Sequence, residues 1–184
     1  MIEKTKGIVL HQIKYSDSGI IVQLYTSIFG RQSLLVRGLR KKKSGRHNIL
    51  FQPLTILDSV IYYKEAHGMP VLKEFSVIYS PSLIYSDIRK TGVAMFLGEA
   101  LTSILREESP NISLYTFLEE SIIYYDKCSE NFVNFHIAFL AGLSSYLGFE
   151  PAPRKRTEDI YFDLINGIFV PSPPMHSNYS DPDI

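Results

Sequence analysis

Seven basic residues and no acidic one occupy the stretch from Arg31 to Arg46: Arg31, Arg37, Arg40, Lys41, Lys42, Lys43 and Arg46. Five of them fall in LRKKKSGR, whose Gly and Ser suit a loop. Such a loop can follow a phosphate backbone, because each neutralised phosphate releases condensed counterions. The resulting affinity ignores base sequence and falls steeply with salt. Aromatics are interleaved with the charge, at Tyr15, Tyr25, Phe29, Phe51, Tyr62 and Tyr63. A basic groove with aromatic platforms can hold a single strand, each stacked base contributing roughly 1–3 kcal/mol. Two plainer readings stand beside this one. A short Lys/Arg run is often a solvated loop, and Tyr or Phe alternating in a strand is more often core than platform.

Other chemistries find no footing. There is no GxSxG, no phosphate-binding P-loop, no GxGxxG after a strand and no HExxH. Asp17, Asp58, Glu99, Glu107 and Glu108 are dispersed, and the adjacent Glu107 and Glu108 at a helix end point in different directions, as solvated surface does. The five histidines show no ligand spacing, and His136 beside an apolar helical face reads as a packed histidine. Cys128 is the single cysteine, so no internal disulfide forms. No catalytic residue, metal or cofactor is expected. No uncharged apolar run reaches the ~18 residues of a membrane span, and MIEKTKGIVL has no secretory pattern; a cytoplasmic protein without membrane contact is expected.

The net charge of zero averages two unlike halves. Residues 1–80 hold twelve Lys or Arg against five Asp or Glu, and residues 81–184 hold seven against fourteen. The first half also reads as strands: GIVLHQIKY, GIIVQLYTSIF, RQSLLVRGL, LTILDSVIYYK and PVLKEFSVIY are rich in Val, Ile, Leu and Tyr, with patches of period two. Their lengths and turn spacing suit a small curled antiparallel barrel, of which the OB-fold is one solution and another small barrel a second.

After Pro81 the period becomes helical. Asp87 can cap a helix with Val93, Phe96, Leu97, Ala100, Leu101, Ile104 and Leu105 inward, stopped before Pro110. A second helix places Leu114, Phe117, Leu118, Ile122 and Tyr125 on one face. A third runs from about Phe132, with Phe135, Phe139, Leu140, Leu143 and Leu147 inward and Gly148 as a left-handed cap. Asn166-Gly167 between apolar runs signals a hairpin. The last dozen residues, with three prolines and little to bury, read as a tail. The expectation is an α+β chain: a small antiparallel β-barrel over residues 1–80, then a helical domain over 81–184 with a short β-hairpin near the C-terminus.

The stretch from Tyr15 to Arg46 resembles the N-terminal signature of the RecO family: a Tyr-x-acid turn (Tyr15, Asp17), a strand to Thr26, Gly30-Arg31, a strand, Arg37-Gly38, then a basic loop Arg40 to Lys43 and Ser44. LFQPL (50–54), FLGEAL, REESPN, LYTFLEES and LSSYLGFEP continue the likeness over nearly the whole chain. It departs in Gly19 and Ile20, where family members often carry polar residues, and in lacking the four-cysteine zinc module many of them have. The hairpin at Asn166-Gly167 stands in that place, and no zinc is carried over. The family usually runs some fifty residues further, so an incomplete helical domain is expected.

The resemblance implies an OB-fold DNA-binding domain and a recombination mediator that is not an enzyme. It would bind single- and double-stranded DNA, anneal strands and, with RecR, load RecA onto strands coated by single-strand-binding protein. The basic residues named first are its expected DNA contacts. For the acidic C-terminal tail of the single-strand-binding protein, Arg89, Lys90, Arg106, Arg154, Lys155 and Arg156 are the candidates. The alternative is a protein–protein adaptor working through its helical domain without binding DNA.

Overall fold

The computed structural model describes residues 1–16, 19–37, 50–63, 68–130, 132–150 and 152–181. It divides into two compact units, Met1–His136 and Ile137–Ile184.

The first unit holds β1 (Ile2–Ser16), β2 (Gly19–Thr26), β3 (Gly30–Arg37), β4 (Ile56–Tyr62) and β5 (Val71–Tyr79). They close into a barrel in the order β1-β2-β3-β5-β4. All neighbours are antiparallel except β3 and β5, which pair in parallel at Leu35↔Val71. This is a five-stranded OB-type barrel, one of the solutions that the strand pattern allows. Alternation sends Val22 and Leu24, Leu34 and Val36, and Leu57 and Ile61 inward, where they bury with Val9, Phe51 and Leu72. Full burial of each such side chain stabilises by roughly 1.5–3 kcal/mol.

β1 is the irregular strand. Its pairing with β4 is unbroken from Ile2↔Tyr62 to Ile8↔Ile56. Along β2 the register shifts twice, between Val9 and His11 and between Lys14 and Ser16. Leu10 and Tyr15 are therefore the extra residues of two bulges, which twist a strand and re-aim a side chain. Leu10 is buried outside the barrel's inner cluster, whereas Tyr15 is 62% exposed.

Three helices follow in this unit: α1 (Ser82–Ser86), α2 (Ile88–Ile104) and α3 (Ile112–Lys127). Asp87 and Asn111 cap α2 and α3, accepting from the backbone N–H of Arg89 and Leu114 at 2.9 Å each. The inward face of α2 differs from the expected one. Ala94, Leu97, Gly98, Leu101 and Leu105 are buried, while Phe96 and Ile104 are exposed. Close approach is the cause: a Cβ on Gly98 would lie 3.1 Å from Pro53 Cβ and 3.4 Å from the Leu10 carbonyl. Gly98 permits the close approach, Leu97, Leu101 and Leu105 are buried as expected, and Phe96 and Ile104 are turned away.

The β2–β3 turn joins barrel and helices. Thr26 Oγ1 accepts from Phe29 N–H and donates to the Gly30 carbonyl, and Gly30 takes φ +60. Arg31 N–H donates to the Glu107 carbonyl at 3.0 Å. The strand-to-helix division at residues 80/81 thus falls inside the first compact unit.

Helix α4 (Phe135–Tyr146) crosses into the second unit and ends at Gly148, φ +79, where Phe149 N–H reaches the Ser144 carbonyl at 3.1 Å. There β6 (Tyr161–Asp163) and β7 (Ile168–Val170) form the hairpin, with Gly167 at φ +65. The expectation of a tail over the last dozen residues is corrected. β8 (Tyr179–Ser180) pairs with β6 on the other edge, giving the order β7-β6-β8. Polar contacts hold it: Leu164 N–H donates to the Asn178 carbonyl, and His176 Nε2 lies 3.3 Å from Asp163 Oδ1. A search for apolar content misses such a strand.

Candidate nucleic-acid interface

One row of paired residues runs around the barrel: Ile13↔Ile21↔Leu35↔Val71↔Tyr62↔Ile2. Ile13, Tyr62 and Ile2 are exposed in it. Beyond it, toward the β1–β2 turn, Ser16 pairs with Gly19 and Gly19 with Arg37, the exposed last residue of β3. Because β3 and β5 are parallel, Lys73 on β5 stands as far beyond Val71 as Arg37 beyond Leu35. Lys73 Nζ lies 5.9 Å from the centroid of the Tyr62 ring. Exposed Lys14 follows Ile13 toward the same end, and exposed Glu74 follows Lys73 on β5.

The six candidate aromatics separate by burial. Tyr25 and Phe51 are core. Phe29 and Tyr63 are half-buried and meet edge to face at 5.5 Å, with the Tyr63 hydroxyl donating to Gln32. Tyr15 and Tyr62 are left at the surface. Burial raises the hydroxyl pKa of Tyr25 and Tyr63, the nearby carboxylates adding to it.

Of the seven basic candidates, Arg40, Lys41, Lys42, Lys43 and Arg46 lie outside the described residues. Arg37 stands exposed at the barrel end. Arg31 is engaged within the protein: its guanidinium donates to the carbonyls of Thr102 at 2.9 Å and Leu105 at 3.3 Å and to Gln23 Oε1 at 3.0 Å. Lys14 and Lys73, which the search for a basic run passed over, are brought to the same end as Arg37. Only strand pairing reveals that neighbourhood, since the three are far apart in sequence.

Among the partner candidates, Lys90 is 5% exposed and its ammonium donates to the carbonyls of Tyr125, Asp126 and Cys128. It caps the C-terminus of α3, where a cation complements the helix dipole. Arg89 is exposed, paired with Asp87 at 2.8 Å and 5.0 Å over the Phe132 ring. Hydrogen bonds from the Arg89 side chain hold the Asp87 carboxyl down to about 2. Arg106 is exposed just past α2, its Nε donating to Ser103. Arg154, Lys155 and Arg156 are exposed in the second unit, where Arg154 donates to the carbonyls of Arg156 and Thr157. A cleft of about 580 Å³ in that unit is lined by Phe149, Phe162, Leu164 and Ile165 with Glu150, and no basic residue is in its lining.

Among the described residues, no group of three or more His, Cys, Asp or Glu could hold a metal ion, and no helix is long and apolar enough to cross a membrane.

Comparison with known proteins matches residues 1–81 to the family model "Recombination protein O N terminal" and residues 85–155 to "Recombination protein O C terminal". The DNA repair protein RecO of Phocaeicola vulgatus is 38% identical over 183 residues, spanning all of this chain and 76% of the relative. That of Bacteroides fragilis is 39% identical with the same coverage. That of Flavobacterium psychrophilum is 34% identical over 91% of this chain and 70% of its own length. With both family models in order over a barrel and helices of the expected kind, the chain belongs to the RecO family of DNA repair proteins.

Proposed function

We propose that the chain is a non-catalytic recombination mediator of the cytoplasm. It binds single- and double-stranded DNA without sequence specificity, anneals complementary strands and, with RecR, helps load RecA onto strands coated by single-strand-binding protein. The observation that carries this reading is the barrel end where Tyr15, Arg37, Tyr62 and Lys73 stand exposed, with the 40–46 basic run following β3 directly in sequence. Two DNA strands repel through their phosphates, and a basic surface that screens this repulsion removes the main long-range obstacle to pairing. Neither step needs a nucleotide, a metal or a covalent intermediate. The exposed Arg89, Arg106, Arg154, Lys155 and Arg156 are the contacts proposed for the acidic tail of the single-strand-binding protein, with the buried Lys90 set aside.

Fluorescence anisotropy of a labelled oligonucleotide across a salt series tests this. Tight binding with a steep salt slope is expected at about 50 mM salt. It should be lost when Arg40, Lys41, Lys42 and Lys43 are all changed to Glu. Absence of binding by the wild-type chain, or equal binding by the quadruple variant, overturns the reading. The second reading, an adaptor acting through its helices, draws on exposed apolar residues along α2, Ile88, Met95 and Phe96. It predicts negligible DNA affinity at moderate salt.

A further inference from the structure

We infer that Tyr15 is a stacking platform for an unpaired base, and so the residue by which the barrel favours single-stranded over duplex DNA; the inference rests on the DNA-binding reading above. Four observations lead to it. Tyr15 is the extra residue of a bulge at the end of β1, opposite a β2 that has no counterpart for it. Bulges at barrel rims re-aim side chains, and this one presents a ring that is 62% exposed. Among the described residues the ring has no hydrogen-bond, ion-pair or ring partner, unlike Phe29, Tyr63, Tyr124 and Tyr125.

Among the described residues, the strands beside Tyr15 carry a glycine and a basic residue. Gly19, paired with Ser16, adds no side chain beside the ring, and a Cβ there would sit 3.2 Å from Ser16 Oγ and 3.3 Å from the Val36 carbonyl. On the far side of Gly19 stands exposed Arg37, two strand spacings or roughly 10 Å from Ser16 along the sheet. From Lys14 to Arg46 the sequence has eight basic residues and a single acid, Asp17, which lies outside the described residues. A polyanion is thus the partner that the charge selects. A polyanion with a free π-face is the one that uses the ring. In a duplex the bases are already stacked on each other, so only a single strand gains from it.

The test compares wild type, Tyr15→Ala and Tyr15→Phe by anisotropy on a labelled oligothymidylate and on a duplex of equal length, over a salt series. Circular dichroism checks that each variant folds. Tyr15→Ala should bind the single strand about 5- to 150-fold more weakly, the span that a base–aromatic stack is worth. Its duplex affinity and salt slope should be unchanged, because no charge is removed. Tyr15→Phe keeps the π-face and should bind like wild type. If Tyr15→Ala binds the single strand as wild type does, or weakens single strand and duplex alike, the platform is overturned while the DNA-binding reading stands. If wild type binds neither DNA, both fall together.

Discussion

Lys90 and Arg31 are cations that the protein spends on its own backbone. Helix α3 ends with carbonyls that lack intrahelical partners, and the Lys90 ammonium gathers those of Tyr125, Asp126 and Cys128 while lying over the rings of Tyr125 and Phe132. Lys90→Met keeps most of the apolar stem and removes the donor. Leaving these buried carbonyls unmatched should cost roughly 3 kcal/mol, a fall of roughly 6–12 °C in Tm for a chain of this size, readable by a thermal melt. DNA affinity should not change. Sequence counts Lys90 among the basic residues open to a partner because it is a cation on the first expected helix, where an acidic tail could meet it. Its true partners come from a helix some 35 residues later, and nothing in local pattern announces them.

At the scale of elements, two glycines share a left-handed backbone yet differ in what surrounds them. Gly30, φ +60, has the Ser109 carbonyl 2.5 Å from where a Cβ would be, and Gly148, φ +79, has nothing within 4 Å. Gly148→Ala should therefore cost only the left-handed penalty, about 1–2 kcal/mol. Gly30→Ala must in addition push the 107–109 segment off the barrel and should cost roughly 3 kcal/mol or more. Urea unfolding of the two variants, compared at equal slope, checks the order.

The strands were legible from their composition, and so were the caps at Asp87 and Gly148 and the Asn166-Gly167 hairpin, because each rests on chemistry within a few residues. The face of α2 was legible only in part, at Leu97, Leu101 and Leu105. Period alone favours the bulky Phe96 and Ile104, whereas close approach at Gly98 selects for smallness. Nor were the bulges at Leu10 and Tyr15 visible, since an extra residue shows only against the partner strand.

For the molecule as a whole, its two units are held by different chemistry. The first has a buried apolar cluster, and the second relies on Asp163 as a polar hub. Its carboxylate accepts from the Asn166 side chain and from the backbone N–H groups of Asn166 and Ile165, with His176 close by. These hold its pKa below the ordinary 3.8 despite its burial. A carboxyl depressed in the folded state contributes stability that is present above the unfolded value and lost as pH falls through the folded one. The β6–β8 sheet should therefore loosen below pH about 3.8. Amide exchange at Leu164 and Gly167, followed by NMR through an acid titration, should show it. Asp163→Asn should remove the acid dependence of those two amides, while leaving that of the barrel amides as in wild type. The charge division at residue 80 was legible from counting, but the division into compact units was not, because the helices after Pro81 are fastened to the barrel by Arg31 and by the close contact at Gly98.

The bulge at Tyr15 also bears on how readily the rim of this barrel tolerates change. Lys14↔Ile20 and Ser16↔Gly19 are consecutive rungs once Tyr15 is taken away, so its loss would close the ladder and leave every other pairing in place. Its gain would likewise disturb nothing but the tip of one hairpin. A single codon separates a barrel that offers this ring to solvent from one that does not, which makes the rim a place where a lineage can acquire or discard a contact without renegotiating the fold.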